Sequence, residues 1–82
     1  MILDFDYDYA REVLEFGSGR IKTKEGYPVE IESWELGGSL YPIRGWICVG
    51  TGQIWETWTK EGTWNSHPGS LSDLVIEIDD SI

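Results

Sequence analysis

The sequence predicts an α+β fold that is mostly β: one N-terminal helix packed on a small antiparallel sheet or partly open barrel of about five to six strands. Three features carry this. The stretch 41–62, YPIRGWICVGTGQIWETWTKEG, alternates apolar and polar residues on both sides of a glycine-rich turn. A helical period occurs once, near the N-terminus. The 10 glycines are numerous enough for a tight turn between each pair of strands.

The helix lies within 4–16, DFDYDYAREVLEF. Asp4 or Asp6 can cap its start, where acids also favour the positive end of the helix dipole. Tyr9, Val13 and Phe16 recur at i, i+4 and i+7, with Ala10 and Leu14 alongside, giving an apolar stripe that can cover one face of a sheet. Gly17-Ser18-Gly19 ends it, because glycine tolerates the left-handed conformation at a helix C-terminus.

A short hairpin follows in RIKTKEGYPVEIESW. A three-residue loop, Lys24-Glu25-Gly26, sets Ile21 opposite Val29 and Arg20 opposite Glu30, whereas a two-residue loop would face Ile21 with Glu30. The first arrangement is the expected one. It puts Ile21, Val29 and Ile31 on the inner face and turns Glu30, Glu32 and Trp34 away. Gly37-Gly38-Ser39 is a link to the next hairpin.

The central hairpin is expected to turn at Gly50-Thr51-Gly52, with Val49 opposite Ile54, Cys48 opposite Trp55 and Gly45 opposite Trp58. Ile43, Ile47, Val49, Ile54 and Trp58 then share the core face, and the Trp58 ring lies across Gly45. Glu56 faces Ile47 in this register and must sit at a core edge or reach solvent. Thr-Lys-Glu-Gly occurs at 23–26 and again at 59–62, and the simplest account of the repeat is that both places need one loop geometry with glycine last. The second copy would pair Trp58 with Trp64. Residues 65–70, NSHPGS, form a loop, and 72–78 a closing strand in which Leu74, Ile76 and Ile78 alternate with Asp73 and Glu77. The tail Asp79-Asp80-Ser81-Ile82 is expected to fray.

Eighty-two residues make one domain, 1–82, with no room for a second core. The formal net charge of −9, from 15 acids against 6 bases, repels a phosphate backbone and argues against direct nucleic-acid binding. It suits a basic protein partner or imitation of nucleic acid equally well. A single cysteine, Cys48, excludes an intrachain disulfide, and MILDFDYD shows neither a basic nor an apolar leader segment. The expected setting is cytoplasmic, away from a membrane.

Candidate chemistry is sparse, and the chain does not read as an enzyme. Asp4, Asp6, Asp8 and Glu15 match positions 1, 3, 5 and 12 of a calcium loop, but Tyr9 stands where that loop needs glycine. The acids read better as helix capping. His67 is the only histidine and has no cysteine neighbour, so neither a zinc site nor a histidine-based triad can be assembled. Cys48 lacks a neighbouring base to activate it and reads as filler. Gly50-Thr51-Gly52 precedes a strand and has no lysine, so it is not a phosphate loop. No catalytic residue, metal ligand or cofactor is expected.

Of the 5 tryptophans, Trp46 and Trp55 fall together on the face opposite the core, with Arg44 beside Trp46 on the same strand. If exposed, the three would stack on a flat ligand or anchor a partner. The alternative is that the helix packs over this very face.

Thr23 with Glu25-Gly26, Tyr41-Pro42-Ile43 with Gly45, Glu61-Gly62, and Ser72-Asp73-Leu74-Val75 follow one another in an order that resembles a family of very small β-domain proteins encoded by phages and prophage-like elements of gut bacteria. Tyr27 stands where a basic residue commonly follows the first glycine in that family. The resemblance implies a phage-like origin, with the host cytoplasm as the setting, and supplies no catalytic residues.

Two functions are therefore expected. One is a non-enzymatic accessory protein that binds a small planar or nucleotide-like ligand through Arg44, Trp46 and Trp55, sequestering a host defence signal. The other is an acidic protein-interaction module that inhibits a host protein or mimics nucleic acid. A sheet this small also has edges to hide, and a homo-oligomer is one way to hide them.

Overall fold

The computed structural model describes residues 1–35, 40–64 and 69–79. In chain order the elements are β1 (Ile2–Asp4), α1 (Tyr7–Phe16), β2 (Gly19–Thr23), β3 (Pro28–Ser33), β4 (Ile43–Val49), β5 (Gly52–Trp58) and β6 (Leu74–Ile78). The strands form one sheet in the order β1-β6-β2-β3-β4-β5, with every neighbouring pair antiparallel. It is a six-stranded open sheet with one helix, so of the two expected architectures the open sheet is the one adopted. The short β1 was not legible as a strand. The Gly37-Gly38-Ser39 link, His67 with its flanking loop residues 65–68, and the tail from Asp80 onward lie outside the described residues.

Asp6 caps the helix, its carboxylate accepting the Tyr9 N–H at 2.9 Å, and Gly17 ends it at φ 68°. The apolar stripe needs correction. Ala10 and Val13 are buried, whereas Tyr9, Leu14 and Phe16 are exposed. The cause is a close approach to β2. Val13 packs where a side chain on Gly19 would sit, so a narrow i, i+3 line meets the sheet and its flanks stay wet. Tyr7 anchors the start by donating its hydroxyl to the Trp34 carbonyl at 2.8 Å.

The first hairpin follows the expected register, Ile21 opposite Val29. The Thr23 N–H bonds the Tyr27 carbonyl and the Gly26 N–H bonds the Thr23 carbonyl, and both contacts recur between Thr59, Gly62 and Thr63. In each copy the threonine hydroxyl also accepts the N–H four residues on, from Tyr27 and from Thr63. The repeated tetrapeptide is thus one loop used twice. Gly26 and Gly62 both have positive φ, 107° and 82°, but a side chain on Gly26 would meet open space and one on Gly62 would strike the Phe5 ring. Gly26→Val is therefore expected to cost about 1–2 kcal/mol from backbone strain alone. Gly62→Val should cost about 1–3 kcal/mol more from overpacking. Urea melts of the two variants check the order, and equal midpoints would refute it.

The central hairpin is shifted by two residues from the expected pairing. Val49 stands opposite Gly52, Ile47 opposite Ile54, Trp46 opposite Trp55, Gly45 opposite Glu56, and Ile43 opposite Trp58. Gly50, at φ 59°, lets Gly50-Thr51 turn the chain as a two-residue loop, and its positive φ followed by an ordinary residue is the pattern of a type II′ turn. A shift of two preserves both faces. Ile43, Ile47 and Trp58 are buried together with Val29, Ile21, Ile76, Leu74, Ala10 and Val13. Ile54 shares their face and is nevertheless 49% exposed.

Two tryptophans depart from expectation. β3 slips register between Ile31 and Ser33, and this bulge reverses the alternation, turning Trp34 toward the helix, where it meets the Tyr7 ring edge-on at 5.7 Å. Trp64 does not extend a strand opposite Trp58. Its indole N–H bonds the Glu56 carboxylate, which supplies the partner that this acid needs on the core face. Trp58 instead donates to the Ser72 carbonyl at 2.8 Å.

Candidate functional site

Alternation along β3, β4 and β5 sets Glu30, Arg44, Trp46, Cys48, Gln53, Trp55 and Thr57 on the face opposite the buried cluster. The helix packs on the other face, since Ala10 and Val13 belong to that cluster. Of the two readings for the tryptophan pair, cover by the helix is therefore the one the fold does not adopt. The pair was expected to be diagonal and is directly opposed, because of the two-residue shift. The ring centroids lie 4.8 Å apart with the planes inclined at 65°. Trp55 is 39% exposed and Trp46 is half-buried.

The three candidate residues thus come together on one open sheet surface. Arg44 lies two positions before Trp46 on β4, across from Thr57 on β5 and Ser33 on β3. Glu30 stands opposite Trp46 on the other flank, and the Gln53 amide reaches toward it at 3.4 Å. Cys48 is half-buried in the next row, with the Gln53 amide nitrogen 3.9 Å from its Sγ.

Arg44 is distinctive for its electrostatics. The other five bases are each engaged. Arg11 pairs with Glu35, Arg20 and Lys22 both with Glu77, Lys24 lies 3.8 Å from Asp73, and Lys60 sits over the Tyr7 ring. The hydrogen bond from Lys22, helped by its charge and that of Arg20, holds the Glu77 carboxyl below the usual carboxylate range. Among the described residues Arg44 is the one base with neither an acid nor a ring against it. Its Nε is buried with no hydrogen-bond partner among the described residues, a state that costs free energy.

Away from this face, a concavity of about 180 Å³ lies between Asp4, Phe5, Lys24, Gly62 and Asp73. Asp73 was expected to alternate outward and is instead buried, 3% exposed, accepting from the Trp64 and Gly69 N–H groups. Its oxygens are committed to the chain itself. Sequence reasoning missed this residue because an acid between apolar strand positions normally marks a solvated face.

Among the described residues no group of three or more His, Cys, Asp or Glu side chains converges to hold a metal ion, and no helix is long and apolar enough to cross a membrane. In comparisons with known proteins, the chain matches no protein-family model, no curated protein and no solved structure.

Proposed function

We propose that the protein is a non-enzymatic binding module that takes a small planar, nucleotide-like ligand on the open sheet face, stacking it on Trp46 and Trp55 and fixing its anionic group with Arg44. The observation that carries this reading is the conjunction of an aromatic pair with the one described base lacking an acid or ring partner, on a face no described helix covers. Glu30 beside Trp46 limits the negative charge that the site accepts. A flat ring with a single anionic group suits it better than a polyphosphate. Sequestering a host signal of this kind in the cytoplasm of a phage-infected cell is the role such a module would play.

The test is calorimetric titration with purine and pyrimidine nucleoside monophosphates, the unphosphorylated nucleosides, and the triphosphates. At least one monophosphate is expected to bind more tightly than its nucleoside or triphosphate. Trp55→Ala should weaken it about 30-fold or more, as for an aromatic anchor. Arg44→Gln should abolish the preference for the monophosphate over the nucleoside. Absence of binding across the series, or unchanged binding by Trp55→Ala, overturns the reading.

The acid excess supports a second reading, an acidic surface that engages a basic protein. The chain carries 15 acids against 6 bases, and two of those bases, Arg20 and Lys22, are both engaged by Glu77. Such a complex weakens steeply as salt is raised, whereas stacking on the tryptophan pair changes little.

A further inference from the structure

We infer that β5 pairs with β5 of a second copy of the chain, antiparallel about a twofold axis at Ile54. One row of the core ends open at the sheet edge. Val29, Ile47 and Ile54 stand side by side across β3, β4 and β5; the first two are buried and Ile54, on the outermost strand, is 49% exposed. The row lacks one more apolar residue on one more strand.

The backbone of β5 specifies how that strand would dock. A two-residue loop closes on a doubly hydrogen-bonded pair, here Val49 and Gly52, so the pairs alternate from that point and Gly52, Ile54, Glu56 and Trp58 bond inward to β4. Gln53, Trp55 and Thr57 consequently direct their N–H and C=O groups outward, and no described strand pairs with them. A twofold at Ile54 sets Gln53 opposite the partner's Trp55 and Trp55 opposite the partner's Gln53. All four N–H and C=O groups of Gln53 and Trp55 in each copy are then paired. Ile54 meets the partner's Ile54 in a non-hydrogen-bonded position, where side chains approach most closely.

Charge and composition favour a second copy as the occupant. The seven residues of β5, GQIWETW, contain no lysine, arginine or proline, and Glu56 is their one charged side chain. Their one charge, Glu56, is bonded to the Trp64 indole and would face the partner's Gly52, not its own twin. The strand carries this single charge although the chain carries −9, so two copies can approach along this line. The other sheet edge, β1, is three residues long and ends in Asp4. In the pair, the partner's Gln53 stands beside Trp55 on the open face, adding an amide to the proposed site. The pairing itself does not depend on any ligand.

Sedimentation equilibrium of the ligand-free protein at tens of micromolar is expected to give a dimer mass. Ile54→Lys, at a position already half in water, should keep the circular dichroism of the parent and sediment as a monomer. In a Cys48→Ser background, Ile54→Cys should oxidise to an intermolecular disulfide, because opposed residues in such a pair lie about 4.5 Å apart at Cα. Thr57→Cys in the same background should not, since the two copies of that position would be about 20 Å apart. A monomeric parent, a dimeric Ile54→Lys variant, or cross-linking at Thr57→Cys in preference to Ile54→Cys each overturns the inference.

Discussion

Trp58→Ala is expected to destabilise the fold by about 3–5 kcal/mol, the range for truncating a buried tryptophan. The side chain is 0% exposed, lies opposite Ile43, and joins the cluster that includes Ile47 and Ile76. It also ties β5 to the segment just before β6 through the indole bond to the Ser72 carbonyl. Removing the ring opens a cavity and leaves that carbonyl without its donor, and the two losses add. In a domain whose total stability is about 5–15 kcal/mol, such a change leaves little margin. Trp58→Phe should recover most of the packing but still lose about 1–3 kcal/mol from the unpaired carbonyl. Trp55→Ala, by contrast, removes a half-exposed ring and its edge contact with Trp46, worth about 1–2 kcal/mol. Chemical denaturation followed by circular dichroism reads all three. The assignment of the two sheet faces fails if Trp55→Ala proves as damaging as Trp58→Ala.

That contrast between Trp55 and Trp58 was legible in the sequence because strand alternation has period two, and any even error in register leaves each side chain on its proper face. The expected hairpin was off by two, yet Arg44, Trp46 and Trp55 still emerged together. The helix cap at Asp6 and the loop glycine at Gly26 were legible for a related reason. Each is a local rule satisfied within four or five residues. Apart from that hairpin turn, the failures here were non-local. Trp34 was misassigned because one extra residue at the β3 bulge reverses the alternation, and a bulge leaves no mark in the apolar pattern. β1 escaped notice because three residues are too few to show a period, and its strand identity comes from pairing with β6 at the other end of the chain. Whether the helix covered the tryptophan pair was a choice between two faces, and sequence periodicity carries no information on it. The close approach of Val13 to Gly19 decided it.

Asp73 shows the same limit from the opposite side, and Asp73→Ala is expected to cost about 3–5 kcal/mol, as when one partner of a buried charged network is removed. One carboxylate oxygen accepts the Trp64 N–H at 2.8 Å and the other the Gly69 N–H at 2.9 Å, so a single side chain holds two points within the connection between β5 and β6. Lys24 approaches the second oxygen at 3.8 Å, and the Lys24 N–H bonds the Asp73 carbonyl, which ties the first hairpin loop to the same point. Alanine leaves two N–H groups unpaired. Asparagine keeps one acceptor oxygen but turns an amide N–H₂ toward the other donor, so Asp73→Asn should fall between the parent and Asp73→Ala. The bonds are charge-assisted, which places each above an ordinary neutral hydrogen bond. Amide hydrogen exchange distinguishes this from a simple loss of packing: in Asp73→Asn the Trp64 and Gly69 amides should lose protection while those of Ile21 and Ile76 in the buried cluster keep theirs. Uniform loss across the sheet, or a melting midpoint equal to the parent's, would show that Asp73 does not anchor this connection.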